Sequence, residues 1–351
     1  MLSLPRDITL HDNVETLVTV VAAEIIGEPV VAAHRLSQGG NNVTLLVETA
    51  RSEYVAKHYP NMPEDGRDRL LAETVGLGFL NAAGFSAVPI LVGSDPVARV
   101  VVMSECGAPA SRAVMKDDIE ACVAFIQGLH GARKFVGAET IPPAAEASPA
   151  PNDVVNQIVA RRRRFEEVSA GYPELGQFLH DAFDPALNAY RRESDAALAV
   201  AGIGAKDRLP RRWQTLSPSD FGFHNAVRGG DGRLTFIDFE YFGWDDPVRM
   251  VSDFLLHPGH HLDGDAKRQF MDGCRAVFGS DPYFTDRFGA LYHLIGLRWC
   301  MILLNEFLPE RMARRQAAGS ADQSASLLAR QIRKADLLLA GLRDNKGNFI
   351  D

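Results

Sequence analysis

The order of strand and helix signals along the chain restricts its fold more than any other feature. The alternation and turn residues of "VVAAHRLSQGGNNVTLLVE" and "EYVAKHY" predict three strands early in the chain. A segment with helical spacing follows, "EDGRDRLLAETVGLGFLNAAG", and then the strand pair "VPILVGSD" and "ARVVVMSE". The order β-β-β-α-β-β indicates a mainly antiparallel sheet that carries one helix, and it argues against a doubly wound parallel sheet.

The helix predicted in this region has an apolar side and a defined end. Five residues share one face at helical spacing: Leu70, Leu71, Thr74, Leu77 and Leu80. Gly84 is the predicted stop, since glycine commonly ends a helix.

Helical patterns dominate after residue 105. They include "KDDIEACVAFIQGLHGA", "DVVNQIVARRRRFEEV" and "PELGQFLHDAFDPALNAYRRESDAALA", with a Pro/Ala-rich loop and one hairpin between them. We therefore predict an α+β chain with two domains. Residues 1–105 would form a small antiparallel-sheet domain, and residues 106–351 a large, mainly helical one.

Composition excludes several classes of partner. The net charge of −8 over 351 residues disfavours non-specific binding to nucleic acid or to an anionic membrane. The apolar stretch "LYHLIGLRWCMILLNEF" contains His293, Arg298 and Asn305, so it predicts a buried helix and not a membrane span. Its four cysteines lie far apart without a C-x-x-C pair, so neither a zinc site nor a disulfide framework is indicated. Together with the polar start of the sequence, these features predict a cytoplasmic protein.

The hairpin "AVRGGDGRLTF" joins two clusters of polar side chains. If Asp231-Gly232 is a two-residue turn, Asn225 faces Asp238 across the strands. An amide oxygen and a carboxylate at that spacing could hold Mg²⁺, which prefers oxygen ligands. The alternative is a turn rich in Asn and Asp whose ends are solvated.

The spacing around this hairpin matches a phosphoryl-transfer site. Asp220 precedes Asn225 by four intervening residues, and Asp238-Phe239 follows, as in kinases where an Asp accepts the hydroxyl proton and Asn and Asp hold metal. Upstream, Lys57 is the only lysine among the first 115 residues, and Glu73 on the predicted helix could hold it. The Gly-rich turn "SQGGNN" could cover phosphates. Each upstream feature alone has an ordinary explanation, namely a solvated lysine and a simple hairpin turn.

With these motifs the sequence resembles the aminoglycoside phosphotransferase and choline kinase-like family, from "LSQGGNN" through "SDFGFHN" and "IDFEYFGWDDP" to "LRWCMILLNEF". The resemblance implies a bilobal protein kinase-like fold, with Asp220 as the catalytic Asp and Asn225 and Asp238 as Mg²⁺ ligands. It also implies Lys57 on the nucleotide phosphates with Glu73 behind it. The remaining nucleotide contacts would come from the Gly-rich turn and from the adenine segment: Ser37, Gly39, Gly40, Met103, Glu105 and Cys106.

Three positions depart from the family pattern. Pro218 stands where the family usually has a His two residues before the catalytic Asp, and we expect a rigid alternative loop there. Glu240 follows Phe239 where protein kinases have Gly. Met250 replaces a common nearby Asp, which leaves the acceptor open.

Aromatic and acidic residues after Asp238 allow two interpretations. Glu240, Tyr241, Trp244 and Asp245 could cage a cationic amine, or they could form a packed corner with capping carboxylates. Asp246 before Pro247 is typical of a helix N-cap. "HPGHH" is interpreted as a loop at a helix end and "ARRRRFEEV" as a solvated helix face.

The expected activity is transfer of the γ-phosphoryl group of Mg²⁺-ATP to a hydroxyl of a sugar, amino-alcohol or aminoglycoside-like acceptor, with GTP not excluded. The alternative is a nucleotide-binding scaffold without catalysis, which the absence of the usual His makes conceivable. A protein kinase is disfavoured, because "EYFGWDDP" is too short for an activation loop. The oligomeric state is left open.

Overall fold

The computed structural model describes residues 10–37, 42–61, 67–110, 116–260, 262–311 and 324–344. By contacts the chain divides into two compact units. The first unit contains residues up to 111, residues 132–145 and residues 218–243; the second contains residues 112–131, 146–217 and 244 onward. This division differs from the single boundary predicted after residue 105, because the hairpin near residue 230 pairs with a strand of the first unit.

The first unit is built on a five-stranded sheet. Its strands are β1 (Val30–Ser37), β2 (Val43–Thr49), β3 (Glu53–His58), β4 (Leu91–Asp95) and β5 (Val100–Ser104). The spatial order is β1-β2-β3-β5-β4, and every neighbouring pair is antiparallel. The predicted antiparallel sheet is therefore confirmed.

Helix α1 (Leu10–Ile26) packs on this sheet and was not among the predicted elements. Val18 and Ala22 are fully buried against strand residues such as Val47 and Val102. Burial of a valine side chain contributes about 1.5–3 kcal/mol, so Val18 and Val21 of this helix stabilise the core that they share with the sheet.

Helix α2 (Arg69–Ala82) is the helix predicted between β3 and β4. The Asp68 carboxylate accepts a hydrogen bond from the Leu71 N–H at 3.2 Å, which caps the first turn. Gly84 has a φ of 80°, a left-handed conformation that glycine adopts without strain and that ends the helix.

The buried face of α2 differs from the predicted one by a small rotation. Its buried residues are Leu70, Glu73, Gly76, Leu77 and Leu80. Leu71 is 58% exposed, so the prediction that it belongs to the apolar face is wrong. A carboxylate lies on the buried face because a lysine on β3 pairs with it, as the site geometry below shows.

Five short strands complete the sheets: β6 (Ala108–Pro109), β7 (Thr215–Ser217), β8 (Ala226–Arg228), β9 (Leu234–Phe236) and β10 (Gly243–Asp245). Strands β6, β8 and β9 form a three-stranded sheet of the first unit, and β7 pairs with β10. A Cβ atom on Gly107 would overlap the Arg228 carbonyl, so only glycine allows β6 to approach β8 this closely.

The β8–β9 register corrects the predicted hairpin. Ala226 pairs with Phe236 and Arg228 with Leu234, and the Gly229 N–H donates to the Arg233 carbonyl at 3.0 Å. The loop is therefore the three residues 230–232, with Gly232 at a φ of 83°, and not the two residues Asp231-Gly232. As a result Asn225 faces Ile237 and not Asp238. The Asn225 carbonyl accepts a hydrogen bond from the Ile237 N–H at 2.9 Å.

The second unit is mainly helical. Its helices are α3 (Lys116–Ala132), α4 (Pro151–Ser169), α5 (Pro173–Gln177), α6 (Asp184–Val200), α7 (Pro247–Leu256), α8 (Gly264–Phe278), α9 (Phe284–Leu303) and α10 (Ser324–Asp344). Helices α4, α6, α7 and α10 all pack on α9. Asp246 caps α7 by accepting from the Val248 N–H at 2.9 Å, as the Asp-Pro pattern predicts.

Helix α9 is the centre of this unit. Together with the turn Leu304–Phe307 it is the one helix in the described ranges that is long and apolar enough to cross a membrane, and 72% of its most apolar window is buried inside the protein. Arg298 on this helix pairs with Asp253 of α7 at 3.0 Å. These features agree with the predicted buried helix.

Glu146, at the start of a segment of the second unit, pairs with Arg161 of α4 at 2.6 Å. Although burial raises the pKa of Glu146, the guanidinium groups of Arg161 and Arg298 outweigh it and lower that pKa to about 2. Because the folded-state pKa is depressed, the stability that Glu146 contributes is present above its ordinary pKa of 4.5 and is lost as pH falls toward 2.

We expect Glu146→Gln to lower the free energy of unfolding at pH 7, and the difference from the wild type to shrink as the pH falls below about 4. Urea unfolding at a series of pH values measures this. Glu139→Gln is the control, since Glu139 is exposed. A difference that is the same at pH 7 and pH 3 would contradict the assignment.

Candidate active site

Lys57 is the residue around which the site of the first unit is built. It lies on β3 opposite Val101 of β5, with only 6% of the residue exposed. Its Nζ donates to both carboxylate oxygens of Glu73, at 3.0 and 3.1 Å, and to Oδ1 of Asp238 at 2.9 Å. The ammonium therefore joins β3, α2 and the segment after β9.

Glu73 is held by two further donors. The hydroxyl of Tyr59 donates to Oε2, and the Phe239 N–H donates to Oε1 at 3.3 Å. Glu73 is fully buried, so these contacts replace the water that a carboxylate otherwise needs. Sequence reasoning did not find Tyr59, although it lies two residues after Lys57 and therefore on the same side of the strand.

The charges of this cluster do not balance. Burial lowers the pKa of Lys57, but the carboxylates of Asp238 and Glu73 outweigh it, so the lysine remains charged. Burial raises the pKa of Glu73 to about 7, against the opposing effect of Lys57. One ammonium between two carboxylates leaves the cluster short of positive charge, as expected for a site that also receives a cation.

Asp220 and Asn225 lie in the loop between β7 and β8. The Asn225 Nδ2 donates to the Asp220 carbonyl at 2.9 Å, within a tight turn at Phe223–Asn225. Ser219 has a φ of 69°, and Asp238 has a φ of 70°. Such backbone conformations cost non-glycine residues of order 1–3 kcal/mol and cluster at functional sites.

His224 contacts Asp220 and was missed by sequence reasoning. Its Nε2 lies 2.9 Å from Oδ1 of Asp220. The signal was present in "SDFGFHN", where the two residues are four positions apart in a stretch short enough to curl into one turn.

Asn225 and Asp238 present the oxygen donors that Mg²⁺ requires. The Asn225 amide nitrogen is used in the bond to the Asp220 carbonyl, which leaves its oxygen as the group available to a cation. Asp238 uses Oδ1 for Lys57, and its side chain is 26% exposed. The residues therefore fit a hard divalent cation, even though the two positions are not directly opposite across the hairpin.

The predicted adenine segment borders a cavity of about 440 Å³ in the first unit. Glu105 and Cys106 line it, whereas Met103 is buried on β5 opposite Val55. The walls also include the β8–β9 turn and residues 86–88, but not Lys57 or Asp238. The predicted adenine and phosphate contacts thus do not share this cavity.

The Gly-rich turn is only partly described. Ser37 ends β1 and pairs with Thr44 of β2, which brackets the turn as predicted. Gly39 and Gly40 lie outside the described residues.

Glu240 and Tyr241 are engaged by arginines at the start of α2. Arg69 NH1 donates to Glu240 Oε1 at 3.1 Å, with the Glu240 side chain 3% exposed. The guanidinium carbons of Arg67 and Arg69 each lie 5.3 Å from the centre of the Tyr241 ring. Burial raises the pKa of Tyr241, and the neighbouring Glu240 carboxylate raises it further.

Trp244 and Asp245 belong to the second unit and are buried there. The Arg211 guanidinium stacks on the Trp244 ring at 3.7 Å. Asp245 pairs with Arg249 at 2.8 Å and accepts from the N–H groups of Ser148 and Asp246. The acids and aromatics after Asp238 therefore already have internal cationic partners.

No protein-family model matches the sequence, and no curated protein matches it. Solved structures resemble the chain over most of its length. A spectinomycin phosphotransferase in complex with ADP and spectinomycin has a TM-score of 0.62 at 11% identity, over 92% of this chain and 98% of that one.

Two other solved structures show the same likeness. The choline kinase LicA from Streptococcus pneumoniae has a TM-score of 0.58 at 15% identity, over 93% of this chain and 99% of that one. The ethanolamine kinase of Plasmodium vivax has a TM-score of 0.56 at 12% identity, over 89% and 81%.

The chain has the fold of these small-molecule kinases. The likeness covers both the antiparallel sheet and the helical part, so the predicted kinase-like fold is confirmed. At these identities the comparison establishes the fold, and the activity is argued from the residues themselves.

The contribution of the buried Arg69–Glu240 ion pair to the stability of the protein can be measured. We expect Arg69→Met to destabilise the protein by about 3 kcal/mol, because it leaves a buried carboxylate without its cation. The double variant Arg69→Met with Glu240→Gln should recover most of that loss. Urea unfolding midpoints measure both.

The matched control is Arg51→Met. Arg51 pairs with Glu28 at 3.0 Å, but its side chain is 81% exposed, so its loss should change stability by less than about 1 kcal/mol. Equal losses for the two arginine variants would show that burial of the Glu240 pair is not the decisive factor.

Proposed function

We propose that this protein transfers the γ-phosphoryl group of Mg²⁺-ATP to a hydroxyl group of a small molecule. The observation that carries the proposal is the joint position of Lys57, Glu73 and Asp238, three residues from three separate elements on one ammonium group. Kinases need this arrangement to fix a lysine on the nucleotide phosphates beside a metal-binding carboxylate. The fold shared with small-molecule kinases agrees with it.

Each residue has a distinct role in this mechanism. Lys57, oriented by Glu73, binds phosphate oxygens, and Asn225 and Asp238 would hold Mg²⁺. When bound, the ion would neutralise charge on the phosphates. Asp220 orients the acceptor hydroxyl and takes its proton late in the transfer, since a free Asp with a pKa of about 3.9 is a weak base.

The contact with His224 explains how Asp220 can be oriented without the usual histidine at position 218. His224 contacts Oδ1 of Asp220 and so restricts the orientation of the carboxylate. The Ser219 hydroxyl, which donates to the Ala145 carbonyl at 3.2 Å, fixes the residue before Asp220. Pro218 itself restricts the preceding residue to extended backbone, in agreement with Ser217 ending β7.

The alternative function is a nucleotide-binding scaffold without catalysis, which Pro218 favours. A scaffold has no need of an oriented Asp220, and the His224 contact therefore supports the enzyme. In keeping with the separated, unpaired cysteines we place the protein in the cytoplasm, with ATP or GTP as donor.

The nucleotide and metal should stabilise the protein together. We expect ATP with Mg²⁺ to raise the unfolding temperature by several degrees, and either alone to raise it much less, because Asp238 and Lys57 take part in one site. Asp238→Ala should remove the metal-dependent part. Asp195→Ala, at an exposed position of α6, is the control. A shift with ATP that is independent of Mg²⁺ would favour the scaffold.

The His224 contact should affect turnover more than binding. We expect His224→Ala to lower kcat for ADP release about tenfold, since the hydrogen bond that orients Asp220 is lost, with little change in the KM for ATP. His180→Ala is the matched control, because His180 makes a similar contact with Asp181 at 2.7 Å on an exposed surface. An unchanged kcat would show that His224 does not orient Asp220.

A further inference from the structure

Glu146 of the second unit lies in a cluster of arginines. Arg161 NH2 donates to both of its carboxylate oxygens, at 2.6 and 2.7 Å. Arg298 NH2 donates to Oε2 at 3.4 Å. The Glu146 side chain is nevertheless 31% exposed, whereas those of Arg161 and Arg298 are 16% and 6% exposed. The carboxylate is thus the outermost member of the cluster.

The backbone of Glu146 is held separately from its carboxylate. Its carbonyl accepts from Gln157 Nε2 at 2.7 Å and from a guanidinium nitrogen of Arg249. The side chain can therefore leave the arginines while the backbone stays in place. Glu146 also has a φ of 54°, a left-handed conformation that costs a non-glycine residue of order 1–3 kcal/mol.

The two arginines have donor capacity that Glu146 does not use. The Nε atoms of Arg161 and Arg298 are buried and donate to no acceptor among the described residues. Arg298 is also held by Asp253 at 3.0 Å, and Asp253 accepts from the Trp299 indole N–H at 2.8 Å. Arg298 would therefore keep its position if Glu146 left.

The charges of the cluster balance only while Glu146 is present. Three guanidinium groups meet three carboxylates: Arg161, Arg249 and Arg298 with Glu146, Asp245 and Asp253. Removal of the Glu146 carboxylate leaves one uncompensated positive charge in a largely buried place. The group that replaces it with the least change in electrostatic energy is another monoanion with two oxygens, because the fork of a guanidinium matches a carboxylate.

The acids after Asp238 do not favour a cationic acceptor. Glu240 is paired with Arg69 and Asp245 with Arg249, so both carboxylates already have a cation. At the Glu146 cluster, in contrast, a partly exposed acid holds two more deeply buried arginines.

We propose that Arg161 and Arg298 form a carboxylate-binding site, which the Glu146 side chain occupies in this structure and vacates when a ligand carboxylate binds. The ligand is a small organic acid whose carboxylate binds the two guanidinium groups from the solvent side. Glu146 then compensates the charge of the two arginines until such an acid binds.

The test measures binding of acetate to variants of Glu146 in the absence of nucleotide. Glu146→Gly removes the carboxylate and suits the left-handed backbone, so this variant should fold. We expect sodium acetate, against sodium chloride at equal ionic strength, to raise its unfolding temperature saturably, with an affinity at least about tenfold above that of the wild type, where Glu146 competes from within the chain. Glu146→Gln leaves a side chain of similar size between the arginines, so acetate should not raise the unfolding temperature of this variant saturably.

If acetate raised the unfolding temperatures of Glu146→Gly, Glu146→Gln and the wild type equally, the proposal of a carboxylate site would be wrong. This result is independent of catalysis, because no nucleotide is present.

Discussion

The ammonium group of Lys57 contacts carboxylates from two regions of the chain that are far apart in sequence. Glu73 follows it by 16 residues and Asp238 by 181, and both lie within 3.1 Å of its Nζ. In a buried setting, each member of such a cluster depends on the others, because any one of them left alone is an uncompensated charge. The packing of β3, α2 and the segment after β9 is therefore fixed by a requirement of charge as much as by apolar contacts.

Arginine compensates most of the other buried acids in the described residues. Glu240 pairs with Arg69 and Asp246 with Arg287, both at about 3 Å and both deeply buried. Asp220 and Asp238 are more exposed than these paired acids, since their side chains are 36% and 26% exposed. Exposure therefore separates the acids of the proposed site from the buried acids that arginines hold.

Glu146 differs from both groups. It is partly exposed like Asp220 and Asp238 but surrounded by arginines like the buried acids, and its backbone conformation is unfavourable. Because its carboxylate is 31% exposed and its carbonyl is held by separate hydrogen bonds, the side chain can leave the arginines without a change in the backbone. The contacts of Arg161 and Arg298 with Glu146 therefore contribute to the free energy of unfolding, and the same two arginines form the proposed carboxylate-binding site.

The predictions that held depend on short-range patterns, and those that did not depend on packing. Strand order and the end of α2 at Gly84 follow from local alternation and turn residues. The β8–β9 register was wrong by one residue because the sequence "GGDG" allows both a two-residue and a three-residue loop. Helix α1, the exposure of Leu71, and the contacts made by Tyr59 and Arg69 were missed, because each is decided by what lies opposite in space.

The sequence by itself determined the types and spacing of the chemical groups: a lone lysine on a strand, an acid on the next helix, and Asp220, Asn225 and Asp238 around a hairpin. Spacing can be recognised there because backbone geometry within a strand, helix or turn depends on neighbouring residues alone. Only the tertiary structure decided which acids are neutralised. The pairing of Glu240 with Arg69, and of Glu146 with Arg161 and Arg298, joins residues up to 171 positions apart. Coulomb energy depends on distance and burial, and neither can be obtained from the order of residues along the chain.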